Sequence, residues 1–252
     1  MALTILIYTS IVLFSGFYCL TACVPYFMSL FLPKHIRGHI IRYIILFYGK
    51  AIVYIAIRPF IRVRFENRCR GEQRPGIYVC NHRSSSDPFL VSVFGQEVVQ
   101  IVNGWPMQLK FYGYFARLGE YIDATQVDYE TSKIHVKSLT ERGVSVVAFP
   151  EGTRSGGRFM NKFRSGVFHL ARELQLPIYP CCIAGNEEMP TRQFCFKKSG
   201  TIQIRLLPVI SPAVAAGYPS AYALKMHVHN LIRQETECMD REIDNAEIQN
   251  RR

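Results

Sequence analysis

The N-terminal quarter of the chain combines one long apolar run with an amphipathic stretch. Residues 3–32 are almost entirely apolar, and no charged side chain occurs before Lys34. A run of this length is sufficient to cross or deeply enter a lipid bilayer as a helix, although Pro25 is able to kink or end that helix. A cleavable signal peptide is the competing explanation, but the run is too long for one and lacks both a basic n-region and a clear cleavage site.

The stretch from Lys34 to Ile57 has apolar residues at helical spacing. Its apolar stripe consists of Ile36, Ile40, Tyr43, Ile44, Phe47, Ala51, Tyr54 and Ile55. Its basic residues lie outside that stripe: Lys34, Arg37, Arg42 and Lys50. This pattern predicts a helix at the membrane interface with its basic edge towards lipid headgroups, and a buried helix with one solvated edge is the alternative. Residues 1–60 are therefore predicted to form a two-helix membrane anchor.

After Pro59 the pattern changes from helical to strand-like. Ile61, Val63 and Phe65 alternate with charged residues, which indicates a half-buried strand. Further short apolar runs predict strands at 76–80, 97–102, 144–149, 177–183 and 201–207. Helical patterns occur at about 88–94, 106–117, 129–142, 163–175 and 220–235. This alternation predicts an α/β fold, a mixed sheet layered with helices over residues 61–236, followed by a frayed polar tail over 237–252.

Positive charge is concentrated beside the apolar run. The 252-residue chain has a formal net charge of +11, and ten Lys and Arg residues, against two Glu, lie between Lys34 and Arg74. Basic residues flanking an apolar segment are typical of a cytoplasmic juxtamembrane region that attracts anionic lipid. A nucleic-acid partner is not expected, since such surfaces seldom accompany an uncharged apolar segment. The cysteines have no C-x-x-C spacing, so we expect reduced thiols and neither a disulfide framework nor a metal site.

The first candidate site directly follows the predicted strand at 76–80. It reads Asn81-His82-Arg83-Ser84-Ser85-Ser86-Asp87-Pro88. The His82 imidazole suits proton abstraction near neutral pH, and Asp87 is close enough along the chain to accept the other ring N–H and fix the tautomer. Two alternatives stay open. Asp87 caps a helix that begins at Pro88, or one of the serines 84–86 is a nucleophile, although no G-x-S-x-G elbow is present.

The second candidate site follows the predicted strand at 144–149. It reads Phe149-Pro150-Glu151-Gly152-Thr153-Arg154-Ser155-Gly156-Gly157. Its glycines allow backbone N–H groups to turn towards a ligand, and Arg154 can bind phosphate or carboxylate oxygens in a bidentate manner. It is not a Walker A loop, because no Gly-Lys-Ser/Thr follows at the required spacing. An ordinary glycine-rich turn is the alternative.

Taken together, Asn-His-x-x-x-x-Asp and the later Phe-Pro-Glu-Gly-Thr-Arg resemble the motifs of the glycerolipid acyltransferase family, which includes bacterial 1-acylglycerol-3-phosphate acyltransferases. The resemblance extends from about Phe65 to Leu207. It implies a membrane-bound enzyme that moves a fatty acyl group from acyl-CoA or acyl carrier protein, as co-substrate, to a lysolipid hydroxyl. No further cofactor is implied. By this resemblance His82 is the general base, Asp87 orients it, and the acceptor headgroup is bound by Glu151, Gly152, Thr153 and Arg154.

The segment between the two motifs departs from the family pattern. The family commonly has a Lys near the start of this segment and an Ile-Asp-Arg-like end, both serving the acceptor phosphate. Here Asn103 or a neighbour replaces the Lys, and Ala124 stands in place of the basic residue. The acceptor is therefore either 1-acylglycerol-3-phosphate, with charge supplied by Lys110, Arg117, Lys162 or Arg164, or a zwitterionic, neutral or amino-acid-headed lysolipid.

Two other functions compete with acyl transfer to a lipid. A lipid thioesterase would use the same histidine and aspartate with water as the acceptor. A non-catalytic lipid-binding protein is the alternative from another class, and the presence of both His82 and Asp87 argues against it. The sequence therefore favours an acyltransferase with its active site at the cytoplasmic face of a membrane.

Overall fold

The computed structural model describes residues 1–70 and 74–249. Within these residues a single seven-stranded sheet has the order β1-β7-β6-β2-β5-β3-β4, and its β6–β7 pair is antiparallel whereas its other pairs are parallel. The strands are β1 (Ile61–Asn67), β2 (Ile77–Cys80), β3 (Val98–Val102), β4 (Ile122–Asp123), β5 (Ser145–Ala148), β6 (Ile178–Ala184) and β7 (Gly200–Leu206). The predicted mixed α/β sheet is confirmed, and its predicted strands are correct to within one or two residues at each end. The two-residue strand β4 was not predicted.

Helices cover both faces of this sheet. They are α1 (Ala2–Ser29), α2 (Lys34–Ala51), α3 (Asp87–Leu90), α4 (Gly104–Gln108), α5 (Lys110–Leu118), α6 (Tyr129–Glu141), α7 (Gly166–Glu173), α8 (Pro212–Ala216) and α9 (Ala221–Gln249). A π-helical turn, Ile52–Ala56, extends α2, and a 3₁₀ turn, Val91–Phe94, extends α3. Successive strand residues point to opposite faces, so Ile77 and Val79 enter one apolar core and Tyr78 and Cys80 the other.

The two N-terminal helices pack together and expose apolar surface. Side-chain hydroxyls of α1 join them, with Tyr18 donating to the Ile44 carbonyl at 2.7 Å and Ser15 bonded to the Tyr48 hydroxyl at 2.8 Å. Helix α1 runs through Pro25 without ending. Both helices are long and apolar enough to cross a membrane by length and composition. Their exposed apolar side chains, such as Phe17 and Phe47, form the kind of surface that marks a membrane or protein contact.

One basic residue of the second helix lies elsewhere than predicted. Phe47 and Tyr54 of the predicted apolar stripe are exposed, as a stripe that meets lipid requires, but Arg42, assigned to the basic edge, is buried. The Arg42 guanidinium bonds Glu97 at 2.6 Å and also Glu120. Although burial acts in the opposite direction, hydrogen bonds from Arg142 and Arg42 lower the pKa of Glu120. Arg42 therefore attaches α2 to the sheet domain through Glu97 and Glu120, and placing it at the headgroups was wrong.

The predicted polar tail is also wrong as far as the structure describes it. Helix α9 continues without a break to Gln249, and its own residues Met239 and Ile243 are buried. Their spacing of four residues keeps both on one helical face. The last residues of the predicted tail, 250–252, lie outside the described part of the chain. Residues 237–249 thus belong to a helix of the folded domain, and the boundary expected at residue 236 falls inside that helix.

Candidate active site

The two sequence motifs meet at one edge of the sheet. Strands β2 and β5 are parallel neighbours, with Val79 opposite Ala148, so the loops that follow them emerge side by side. The loops are bonded directly, since Ser155 N–H donates to the His82 carbonyl at 2.8 Å and Gly156 N–H to the Arg83 carbonyl at 3.1 Å. Carboxyl ends of adjacent strands are where α/β proteins commonly place their active sites.

His82 and Asp87 form the predicted pair. His82 Nδ1 lies 2.7 Å from Asp87 Oδ2, and the aspartate side chain is completely buried while 16% of the histidine side chain stays exposed. The same Oδ2 accepts the backbone N–H groups of Arg83 and Ser84 at 2.8 and 2.9 Å. Asp87 therefore fixes the loop and the imidazole together, and the N-cap position of α3 is occupied by Ser86. A carboxylate on Nδ1 leaves the other ring nitrogen available for proton transfer.

Asn186 completes this arrangement and was missed in the sequence. It is fully buried, and its side-chain amide donates to Asp87 Oδ1 and, at 3.3 Å, to Ser86 Oγ. Asn186 follows β6, the parallel neighbour of β2 on the side opposite β5. The rule that located the other two loops, polar residues directly after a buried strand, would have identified it too.

The three serines of the first motif do not form a triad with His82. Ser84 is buried and donates to the Pro190 carbonyl at 2.6 Å, while the Ser86 hydroxyl accepts from Asn186. Within residues 1–70 and 74–249, no serine hydroxyl is hydrogen-bonded to the His82 ring. The arrangement therefore favours a histidine that acts on a substrate hydroxyl over one that activates a protein nucleophile.

Glu151 joins the two loops through its carboxylate. Oε1 accepts the His82 N–H at 2.7 Å, and Oε2 accepts the Asn161 N–H at 2.8 Å. Burial raises the pKa of Glu151 to about 7, against the lowering effect of those two hydrogen bonds. Both oxygens thus bond protein backbone, which is the arrangement of a residue that shapes the site. The prediction that Glu151 contacts a headgroup has no support in this geometry.

A cavity of about 780 Å³ opens beside His82 and contains the rest of the second motif. Gly152, Thr153 and Arg154 all line it. Gly152 has φ of +72° and lies so close to Arg164 that a Cβ there would come within 2.9 Å of the guanidinium. This position therefore requires glycine.

Two guanidinium groups border the cavity, those of Arg154 and Arg164. Arg154 lies over the Phe194 ring at 5.0 Å, and its buried Nη1 has no hydrogen-bond partner among the described residues. Of the four cations proposed to replace the missing ones, Arg164 alone lines the cavity in the described structure. Arg117, by contrast, donates to the Met107 carbonyl at 2.9 Å. The site thus has two cations available for an anionic ligand.

The positions that depart from the family pattern also face the cavity. Asn103 and Ala124 both line it, and the Asn103 amide donates to the Gly152 carbonyl at 3.1 Å. Asn103 therefore supports the glycine loop. Ala124 adds a methyl group where the family has a basic side chain, so this side of the cavity is less polar.

Known proteins with related sequences support an acyltransferase. Residues 61–184 match the family model described as Acyltransferase. The chain is 24% identical to the 1-acyl-sn-glycerol-3-phosphate acyltransferase of Escherichia coli K12 over 85% of each chain. It is 30% identical to the beta form from Homo sapiens, over 66% of this chain and 63% of that one. The match to the Limnanthes alba enzyme, also 30% identical, spans about half of that relative's length, 48%.

A solved structure shares the fold. The crystal structure of the 1-acyl-sn-glycerophosphate (LPA) acyltransferase PlsC from Thermotoga maritima superimposes with a TM-score of 0.76, covering 94% of this chain and 95% of that one at 18% sequence identity. Residues 61–184 therefore match the Acyltransferase family model, and the chain shares the fold of the Thermotoga maritima protein. The resemblance of this chain to the glycerolipid acyltransferases is confirmed.

Proposed function

We propose that this protein is a membrane-bound 1-acylglycerol-3-phosphate O-acyltransferase in which His82 is the general base. The observation that carries the proposal is the 2.7 Å contact between His82 Nδ1 and the fully buried Asp87, at the wall of the cavity. An orienting carboxylate fixes the imidazole tautomer and stabilises the imidazolium that forms during transfer.

In the proposed reaction the acceptor hydroxyl oxygen attacks the thioester carbonyl carbon. His82 Nε2 takes the hydroxyl proton as the new C–O bond forms. The tetrahedral intermediate then collapses, the C–S bond breaks, and the departing thiolate receives the proton from the imidazolium. Atoms and charge balance without a protein nucleophile, in keeping with the absence of a serine–His82 hydrogen bond in the described residues.

The acceptor headgroup is proposed to be a phosphate monoester. Arg154 and Arg164 both line the cavity, and a guanidinium matches phosphate oxygens in geometry and charge. Arg164 then supplies the charge that Ala124 does not. A zwitterionic or amino-acid-headed lysolipid is the second candidate, because Ala124 and Asn103 leave one side of the cavity without a cation.

The donor is proposed to be acyl-CoA or acyl carrier protein, as the family resemblance implies. The site is proposed to open at the cytoplasmic face. Support for that orientation comes from the ten basic residues between Lys34 and Arg74 beside the apolar run, since cytoplasmic flanks are enriched in Lys and Arg. The exposed apolar side chains of α1 and α2 offer a surface for the bilayer from which a lysolipid would enter.

The proposal is tested with purified enzyme in anionic vesicles and radiolabelled acyl-CoA or acyl carrier protein. Lysolipids with and without a phosphate monoester are compared as acceptors, and the products are separated as acylated lipid or free acid. We expect transfer to 1-acylglycerol-3-phosphate, its loss in His82→Ala, and a raised acceptor KM with unchanged donor KM in Arg154→Ala. Release of free acid alone would instead identify a thioesterase, and full transfer by His82→Ala would exclude the mechanism.

A further inference from the structure

Five charged side chains form a cluster where α9 meets the two loops of the site. Arg83, Arg158, Glu187, Asp240 and Asp244 are here named the C-terminal clamp. Two of them belong to the segment 237–249, which the sequence suggested was a frayed tail. No role in the reaction outlined above involves any of the five.

Arg83 connects the clamp to the general base. It directly follows His82, and its backbone N–H donates to Asp87 Oδ2 at 2.8 Å. Its side chain is completely buried and forms two hydrogen bonds of 2.7 Å with the two carboxylate oxygens of Asp240. The residue thus contacts the orienting carboxylate through its backbone and α9 through its guanidinium.

Arg158 connects the clamp to the second loop. It follows Gly157, and its guanidinium forms two hydrogen bonds of 2.7 Å with Asp244 and one of 3.1 Å with Glu187. The Arg158 carbonyl in turn accepts from Arg83 at 3.2 Å. Asp240 and Asp244 are four residues apart on α9, which places both on one helical face. A single helix face therefore holds both loops.

Fold stability alone is a weak explanation for the buried Arg83–Asp240 pair. Removing two charges from water costs free energy that their attraction often fails to recover, and an apolar pair commonly stabilises a fold as well or better. A bidentate guanidinium–carboxylate contact does supply a fixed direction. Here it fixes the residue next to His82, in a site where small displacements reduce the rate.

We propose that Asp240 and Asp244 are positioning residues. They hold the loop that contains His82 and the loop that contains Arg154 at the relative position that acyl transfer requires. The inference rests on the proposed function, because the two side chains that must be aligned, His82 as proton acceptor and Arg154 as headgroup cation, act on the same lysolipid. Loss of either carboxylate should lower kcat through misalignment, with smaller effects on the KM of either substrate.

The first test is Asp244→Asn, with Glu237→Gln as the matched control. Both residues pair with an arginine on a solvent-accessible side, with side-chain exposures of 45% and 41% for Asp244–Arg158 and 51% and 48% for Glu237–Arg233. Both variants should therefore fold with wild-type thermal stability. We expect kcat to fall about tenfold in Asp244→Asn, with KM changed by less than about twofold, and no change in Glu237→Gln.

Hydrogen exchange supplies a readout independent of turnover. In Asp244→Asn the backbone amides of residues 82–84 and 155–157 should exchange faster, while Glu237→Gln leaves them at the wild-type rate. If Asp244→Asn kept the wild-type kcat and the wild-type amide exchange rates, the proposed positioning role of the C-terminal clamp would be wrong. If the wild-type enzyme acylates no lysolipid at all, the proposed function fails, and the exchange comparison still decides whether α9 holds the loops.

The buried pair is tested by removing both charges at once. Asp240→Asn removes the bidentate counter-ion of Arg83 and, among the described residues, leaves only Glu187, at 3.6 Å, so it should reduce both stability and kcat. The double variant Arg83→Met with Asp240→Leu should recover stability but not kcat, because the apolar pair lacks the directional contact. Recovery of both quantities would show that the pair is only structural and would contradict the proposal.

Discussion

Asp87 is the residue on which most of the site geometry depends. Its Oδ2 accepts the His82 ring and two backbone N–H groups, and its Oδ1 accepts the Asn186 amide. An amide at this position has one oxygen in place of two and turns an N–H₂ group towards donors. The imidazole would then lose the partner that selects its tautomer.

The corresponding prediction is that Asp87→Asn lowers kcat by about 10³–10⁴, the loss typical of a disrupted histidine tautomer, while the donor KM stays close to wild type. Steady-state kinetics with acyl-CoA and lysolipid measure it. Asp128→Asn is the control, since Asp128 caps α6 through Thr131 and asparagine caps helices equally well. Wild-type kcat in Asp87→Asn would remove Asp87 from the mechanism.

Glu151 gives the site a defined dependence of stability on pH. Its pKa in the folded protein is about 7, above the ordinary carboxyl value near 4.3. The folded state therefore binds the Glu151 proton more tightly than the unfolded chain does. The stability that this protonation contributes is fully present below the ordinary pKa and is lost as pH rises through about 7. The free energy of unfolding should fall by about 4 kcal/mol over this range, at about 1.4 kcal/mol per pKa unit.

We expect Glu151→Gln to remove this dependence. Chemical denaturation in detergent at pH 5 and pH 8 should show wild type losing stability relative to the variant as pH rises. Glu141→Gln, on the surface of α6, serves as a control and should follow the wild-type curve. A difference between wild type and Glu151→Gln that is the same at both pH values would contradict a raised pKa.

At the scale of elements, one face of α2 binds the rest of the protein and the other face exposes apolar side chains. One face places Arg42 between Glu97 and Glu120, and the other exposes Phe47. Arg42→Met leaves two nearly buried carboxylates without their shared cation and should destabilise the fold, at the low end of about 3–5 kcal/mol. Phe47→Ser should leave folding unchanged and weaken binding to vesicles, because it removes only exposed apolar surface.

Denaturation in detergent and vesicle flotation measure the two effects separately. The prediction requires that each variant changes one measurement and leaves the other near wild type. If Phe47→Ser destabilised the fold as much as Arg42→Met does, the exposed face of α2 would have a structural role that its burial does not indicate.

Helix α2 also shows what its sequence pattern could not predict, namely which face meets the protein and which face is exposed. Periodicity located the apolar stripe of α2, but lipid and protein interior attract apolar side chains alike, so the pattern does not reveal which of them a face meets. Arg42 finds its acidic partners 55 and 78 residues away, and Asp240 finds Arg83 at a separation of 157. Short-range pattern predicted the strands and the His82–Asp87 pair well. Strand order was needed to pair Asn186 with Asp87 and Arg83 with Asp240 of α9, although position after a buried strand could have marked Asn186 as a candidate.

At the scale of the whole molecule, the N-terminal helices and the sheet domain share one cavity. Helix α1 contributes Tyr8 and Ile11 to the wall that also contains His82. Its N-terminal end is held against the domain, since the Phe196 N–H donates to Thr4 Oγ1 at 3.0 Å and Tyr8 donates to the Phe194 carbonyl at 2.8 Å. The helix therefore both exposes an apolar surface and forms part of the wall of the cavity beside His82.

This double role predicts that α1 limits the length of the acyl chain. Ile11 lines the cavity, whereas its neighbour Val12 is 67% exposed on the outer face of the same helix. Ile11→Trp adds volume inside the cavity and should lower kcat/KM for sixteen-carbon donors at least about tenfold, since misplaced reacting atoms commonly cost that much or more, while eight-carbon donors are affected less. Val12→Trp adds the same aromatic group to the lipid-facing side, so it should leave the chain-length profile unchanged and bind vesicles at least as well. Equal profiles for the two variants would mean that α1 anchors the enzyme without contributing to its substrate cavity.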